Sequence, residues 1–162
     1  KAEQIPVKRE SNSAAVALSE AISALKMGHA IGIYPEGTLT RDQNLWPMSG
    51  KTGAVRLALA AGAPLIPVAQ WGDHKILAPY SKILKLFPPK PISLMCGDPI
   101  DLSKWQGKED DPAAMEEATG YAMRILADMV GQLRNEPAPS QLFDLRKSDL
   151  PRTGNFRKNR RR

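Results

Sequence analysis

Apolar residues recur along this chain with two different periods. Between residues 13 and 27, Leu18, Ala21, Ile22 and Leu25 share one helical face, and Gly28 follows as a stop signal. Short apolar runs flank that helix, residues 5–7 before it and 31–34 after it, and they read as strands. A strand, helix, strand order predicts a parallel pair joined by a right-handed crossover, which would bring Arg9 and Glu36 to one sheet edge.

Further on, an alanine-rich helix is predicted over about 51–61, capped by Ser49 or Gly50, closed by Gly62 and carrying Lys51 in its first turn. Residues 65–69 and 92–96 are apolar enough to be central strands. The last helix covers about 113–134, with Met115, Ala118, Ala122, Ile125, Met129 and Leu133 on its core face. The expected fold is α/β: a mixed, largely parallel central sheet flanked by helices. One domain is expected over residues 1–136, followed by a proline-containing basic tail over 137–162.

Composition refines this picture in three places. With 162 residues, 42% hydrophobic and 25% charged, the chain can bury one real core, so disorder is excluded as its overall state. The net charge of +6 is local: from Arg146 onward eight Lys/Arg face one acid, which puts +7 there and leaves −1 for the rest. Such a tail suits contact with anionic lipid or nucleic acid, or is simply a solvated terminus. The single cysteine, Cys96, excludes an internal disulfide framework.

Nothing in the sequence spans a bilayer. Residues 57–72 carry no charge, but Gly62, Pro64 and Pro67 interrupt them and they fall short of the roughly 20 apolar residues required. Residues 75–90 are more unusual, because Ile83, Leu84, Leu86 and Phe87 alternate with lysines. They read either as a membrane-interface element or as an ordinary packed loop. The chain opens at Lys1 with no signal-like region, and it reads as a fragment that begins inside a fold.

Chemistry concentrates in residues 34–42. After the run 31–34 come Glu36, Gly37, Thr38, Thr40 and Arg41: a carboxylate, a flexible glycine, two hydroxyls and a guanidinium beyond a strand end, where open α/β sheets bind ligands. This set suits a phosphorylated polyol, with Arg41 offering a fork for phosphate and Lys51 adding charge at a helix N-terminus. A turn cluster with solvated charges is the plain alternative. Gly50, Lys51 and Thr52 match the end of a Walker A loop, but Leu45 stands where its first glycine belongs, so a nucleotide-binding loop is rejected. His29 and His74 have no acid four or five positions downstream, and with Cys96 they make neither a metal set nor a nucleophile pair.

Residues 34–38 (Tyr34, Pro35, Glu36, Gly37, Thr38) resemble the third sequence block, of F-P-E-G-T-R-S type, of the PlsC-type glycerolipid acyltransferases. Residues 63–68 resemble the fourth block of that family, and residues 5–9 look like the tail of the second. The resemblance implies transfer of a fatty acyl group from acyl-CoA or acyl carrier protein to lysophosphatidate, at a membrane on its cytoplasmic face. No metal or bound cofactor and no nucleic-acid partner are expected. By the same resemblance Arg9 contacts the acceptor phosphate, Glu36, Gly37 and Thr38 hold its glycerol phosphate, Lys51 adds a phosphate contact, and residues 64–68 shape the pocket. Two departures stand out. Leu39 occupies the place of the family's arginine, for which Arg41 is the expected substitute, and the H-x4-D block that supplies the catalytic base is not in this chain. An inactive lipid-binding relative, or glycerol 3-phosphate or a glycolipid as acceptor, are the competing readings.

Overall fold

The computed structural model describes residues 13–151 and 154–155. Its first helix, α1 (Ser13–Lys26), ends where Gly28 takes a left-handed conformation (φ 87°) and donates its N–H to the Leu25 carbonyl. Ala17 and Ala21 are its buried residues, and these small side chains let it pack closely on α2 (Gly53–Ala61). That helix starts two residues later than the sequence suggests. Thr52 is its N-cap and makes no side-chain cap bond, so Lys51 lies just ahead of the helix instead of in its first turn. Gly62, at φ 63°, closes it as expected.

α4 (Pro112–Arg134) is the organising element. The Asp111 side chain accepts from the N–H groups of Ala113 and Ala114, Pro112 fits the first turn without losing a hydrogen bond, and Asn135 ends the helix in the left-handed region. Met115, Ala118 and Ala122 from the expected face are buried and pack with Val55 and Ala58 of α2 and with Ile100 and Trp105. Two turns on, Met129 and Val130 join Ala69 and Trp46 in a second cluster.

The sheet departs from expectation. Among the described residues it has two strands, β1 (Val68–Trp71) and β2 (Ser93–Cys96), and they are antiparallel, with Val68 opposite Cys96 and Trp71 opposite Ser93. The largely parallel sheet is therefore not what these residues form. β1 begins later than residue 65 because Pro64 and Pro67 have no N–H to give a ladder. The carbonyls of Leu65 and Pro67 still accept from Ile100 and Gly97. Residues 31–34 are not a strand, and residues 5–7 and Arg9 lie outside the described residues. Two-sided burial is also corrected. Ala69 faces α4, while Val68 is 47% and Leu94 65% exposed on the opposite face.

Residues 138–151 pack back on the domain. Met48 and Phe143 form an isolated parallel bridge, the Ser49 N–H donates to the Phe143 carbonyl at 2.8 Å, and the Ser49 hydroxyl donates to Asp144 at 3.0 Å. Residues 138–151 thus run back over the loop that carries the candidate site.

Candidate functional site

Residues 34–37 form a turn in which the Gly37 N–H donates to the Tyr34 carbonyl at 3.0 Å, with Gly37 at φ 66°. Two long-range bonds clasp this turn to the loop before α2. The Met48 N–H donates to Glu36 Oε1 at 2.6 Å, and the Lys51 N–H donates to the Pro35 carbonyl at 2.8 Å. Met48 is fully buried, so the clasp is anchored in the interior.

This arrangement brings three of the sequence-predicted residues together. The Lys51 side chain lies across Gly37: a Cβ added at Gly37 would stand 3.3 Å from both Cε and Nζ of Lys51. Glycine is favoured there by its positive φ, and a side chain would also have to shift the end of Lys51. Glu36, one residue before, uses only Oε1 for Met48, and a carboxylate can accept at both oxygens. Desolvation raises its pKa from 4.5 to about 7, with the Met48 N–H pulling the other way. Near neutral pH both forms are populated, one accepting from a hydroxyl and the other donating to an oxygen. Thr38 follows, half-buried.

The two remaining assignments fare differently. Arg41 is a correction: it is 1% exposed, its Nη2 donates to the Gly154 carbonyl at 3.2 Å, and its guanidinium lies 5.6 Å from the Tyr80 ring centre. A buried guanidinium that ties down the C-terminal segment does not present an open fork to phosphate. Arg9 lies outside the described residues. Thr40 is likewise structural, since its hydroxyl donates to the Trp46 carbonyl at 2.7 Å and accepts from the Asp42 N–H. Asp42 in turn accepts from the N–H groups of Asn44 and Trp46.

The residues that reading the sequence missed are Met48 and Pro35. Their part is played by backbone groups, for which side-chain type gives no signal. A separate polar cavity of about 200 Å³ opens between the loop before α2 and α4, lined by Ser49, Thr52, Glu116, Thr119, Met123 and Arg146 among others. None of the predicted site residues lines it.

Comparison with known proteins identifies the family. Residues 1–71 match the family model described as Acyltransferase, a span that includes the whole Glu36 turn and Lys51. A 1-acyl-sn-glycerol-3-phosphate acyltransferase of Bacillus subtilis is 33% identical over 131 residues, 79% of this chain and 59% of that protein. Proteins of the same name from Escherichia coli (32% identical over 114 residues, 67% of this chain and 40% of that protein) and Borreliella burgdorferi (38% over 67 residues, 41% and 26%) also match. The chain thus spans three fifths or less of the length of each of these relatives. No solved structure matches it significantly. The ordered motifs, the turn they build and these relatives agree: the chain belongs to the PlsC-type glycerolipid acyltransferase family.

Proposed function

We propose that this chain forms the acceptor-binding part of a 1-acylglycerol-3-phosphate acyltransferase, which makes phosphatidate from lysophosphatidate and an acyl thioester. The observation that carries this reading is the clasp that sets Glu36, Gly37 and Lys51 on one turn: the Met48 N–H on Glu36 Oε1, the Lys51 N–H on the Pro35 carbonyl, and the Lys51 side chain across Gly37. An ammonium and a carboxyl carried by one clasped turn match a phosphate and a hydroxyl on one small ligand. Arg9 is assigned a second cationic contact to the phosphate, and Thr38 a contact to the glycerol.

In the reaction, the acceptor hydroxyl oxygen attacks the thioester carbonyl carbon and gives its proton to a base. The C–S bond breaks, and the thiolate leaves and takes up a proton. The base is assigned to the family's H-x4-D block. The residues of this chain bind and orient the acceptor, which raises the rate by holding the hydroxyl close to the thioester. Acyl-CoA or acyl carrier protein is the co-substrate, no bound cofactor is required, and the reaction takes place at the cytoplasmic face of a membrane. The parallel part of the sheet is assigned to the whole protein: among the described residues no strand pairs with the second edge of β1, which leaves it open to a further strand.

An acceptor panel tests the reading. The full-length protein, given a labelled acyl-CoA, is expected to acylate lysophosphatidate and to lose most of that rate when the acceptor lacks its phosphate, as in a monoacylglycerol. Equal rates on both, or transfer to glycerol 3-phosphate in preference, would overturn the assignment.

A further inference from the structure

Among the described residues, the connection from β1 to β2 carries the longest run of exposed apolar side chains. It begins with a short helix, α3 (Asp73–Ile76), and then projects Leu77, Ile83, Leu84, Leu86 and Phe87, which are 45%, 71%, 59%, 58% and 86% exposed. A loop packed for stability would bury its phenylalanine, and this one presents it. The excursion nevertheless has a defined shape. The Lys85 N–H donates to the Ile76 carbonyl at 2.8 Å, the Ile83 N–H donates to the Ser81 hydroxyl at 3.0 Å, and the Lys90 ammonium donates to the carbonyls of Lys85 and Pro88 at 2.8 Å each.

Charge completes the pattern. Residues 74–97 contain Lys75, Lys82, Lys85 and Lys90 and no aspartate or glutamate. Lys75, Lys82 and Lys85 are exposed among the apolar residues, while Lys90 is spent on the loop itself. Apolar tips flanked by lysines, with no acid among them, fit a surface that is apolar within and anionic at its rim, which is the outer layer of an anionic bilayer. Protein–protein interfaces, by contrast, are depleted in lysine.

From these observations we infer that residues 77–87 are a membrane-contact loop, with Ile83, Leu84, Leu86 and Phe87 set into the acyl boundary of an anionic leaflet and Lys82 and Lys85 at its head groups. The choice of a bilayer over a protein partner rests in part on the proposed lipid acceptor. The loop would hold the site against the surface from which a lipid acceptor is drawn, independently of any other attachment of the whole protein.

The test places a probe in the loop of the full-length protein. Phe87→Trp is compared with the parent, which has Trp46 and Trp105 buried and Trp71 half-buried, in vesicles of one-third anionic lipid with bromine on the acyl chains and no acyl donor or acceptor present, and the parent's emission is subtracted. The added emission is expected to shift blue and to be quenched, and Lys82→Gln with Lys85→Gln is expected to lower vesicle partition of the loop by roughly tenfold or more, at about fivefold per lysine. Ile83→Ser in the probe protein should weaken the quenching again. Unquenched, unshifted emission would overturn the inference. So would a change of oligomeric state in Ile83→Ser with vesicle quenching unaltered, which would mark the loop as a contact between copies. Because no turnover is read, a failure of the proposed reaction leaves this result distinct.

Discussion

Glu36 accepts the Met48 N–H at 2.6 Å across twelve residues of chain, and this bond joins the acceptor-site turn to the buried end of the loop that leads into α2. The carboxyl fixes the loop through Oε1, and the proposed function gives it a second duty, accepting from the acceptor hydroxyl through its other oxygen. Glu36→Ala removes both, leaving the buried Met48 N–H without its partner at a cost of about 1–3 kcal/mol. Glu36→Gln keeps an oxygen for Met48. Chemical denaturation is expected to show the alanine variant clearly destabilised and the glutamine variant near the parent, while both lose acyl transfer.

The raised pKa of Glu36 gives stability a specific pH dependence. Burial lifts it from 4.5 to about 7, so the folded chain holds this proton more tightly than the unfolded chain does. Between those values the unfolded state binds fewer protons, and stability must fall as pH rises through the window and level off above it. The shift corresponds to roughly 3 kcal/mol at most. Urea midpoints measured from pH 4.5 to 8 should show Glu36→Gln gaining on the parent as pH rises. A constant difference across that range would show that folding does not raise the pKa of this carboxyl.

At Gly37 a methyl group has nowhere to go without moving Lys51. Gly37→Ala combines a positive φ of 66° with contacts of 3.3 Å to the lysine's Cε and Nζ. The backbone strain costs about 1 kcal/mol, and the displaced ammonium is expected to raise the acceptor KM with little change in the donor KM. Steady-state kinetics in each substrate separate the two.

Arg41 and Arg134 should behave as structural cations. Arg134 is sandwiched between two rings, 4.0 Å from the Trp46 centre and 4.3 Å from that of Trp71, and it donates to the Asn44 carbonyl and to Glu136. Arg134→Ala is expected to cost about 2–4 kcal/mol in urea unfolding, from lost cation–π contact and hydrogen bonds. Arg41→Leu should likewise lower stability and release the segment around Gly154. In both, the acceptor KM of the remaining folded enzyme should be unchanged. A large rise in that KM for Arg41→Leu would restore the phosphate role that its burial argues against.

The helices were legible because their periodicity and stop signals are local. Gly28, Gly62 and the Asp111, Pro112 pair mark ends that the structure keeps to within a few residues. The sheet was less legible. Residues 65–69 and 92–96 are apolar at nearly every position, a pattern that implies cover on both faces, yet in this chain α4 covers only the Ala69 face. In the site, Glu36, Gly37 and Lys51 were identified by residue type, but what holds them together is the Met48 N–H and the Pro35 carbonyl, groups that every sequence has. Arg41 misled for the complementary reason. Its partner is the carbonyl of Gly154, 113 residues away, and nothing in residues 34–42 reveals that contact.

The central claim is that Lys51, lying across Gly37, holds the acceptor's phosphate. It is tested most directly by Lys51→Ala in the full-length enzyme, with kinetics measured separately in lysophosphatidate and in acyl-CoA. Loss of one charge-assisted contact predicts an acceptor KM raised by roughly tenfold or more, a donor KM close to that of the parent, and a variant that folds normally because Lys51 is exposed. An unchanged acceptor KM, or a rise confined to acyl-CoA, would contradict the account.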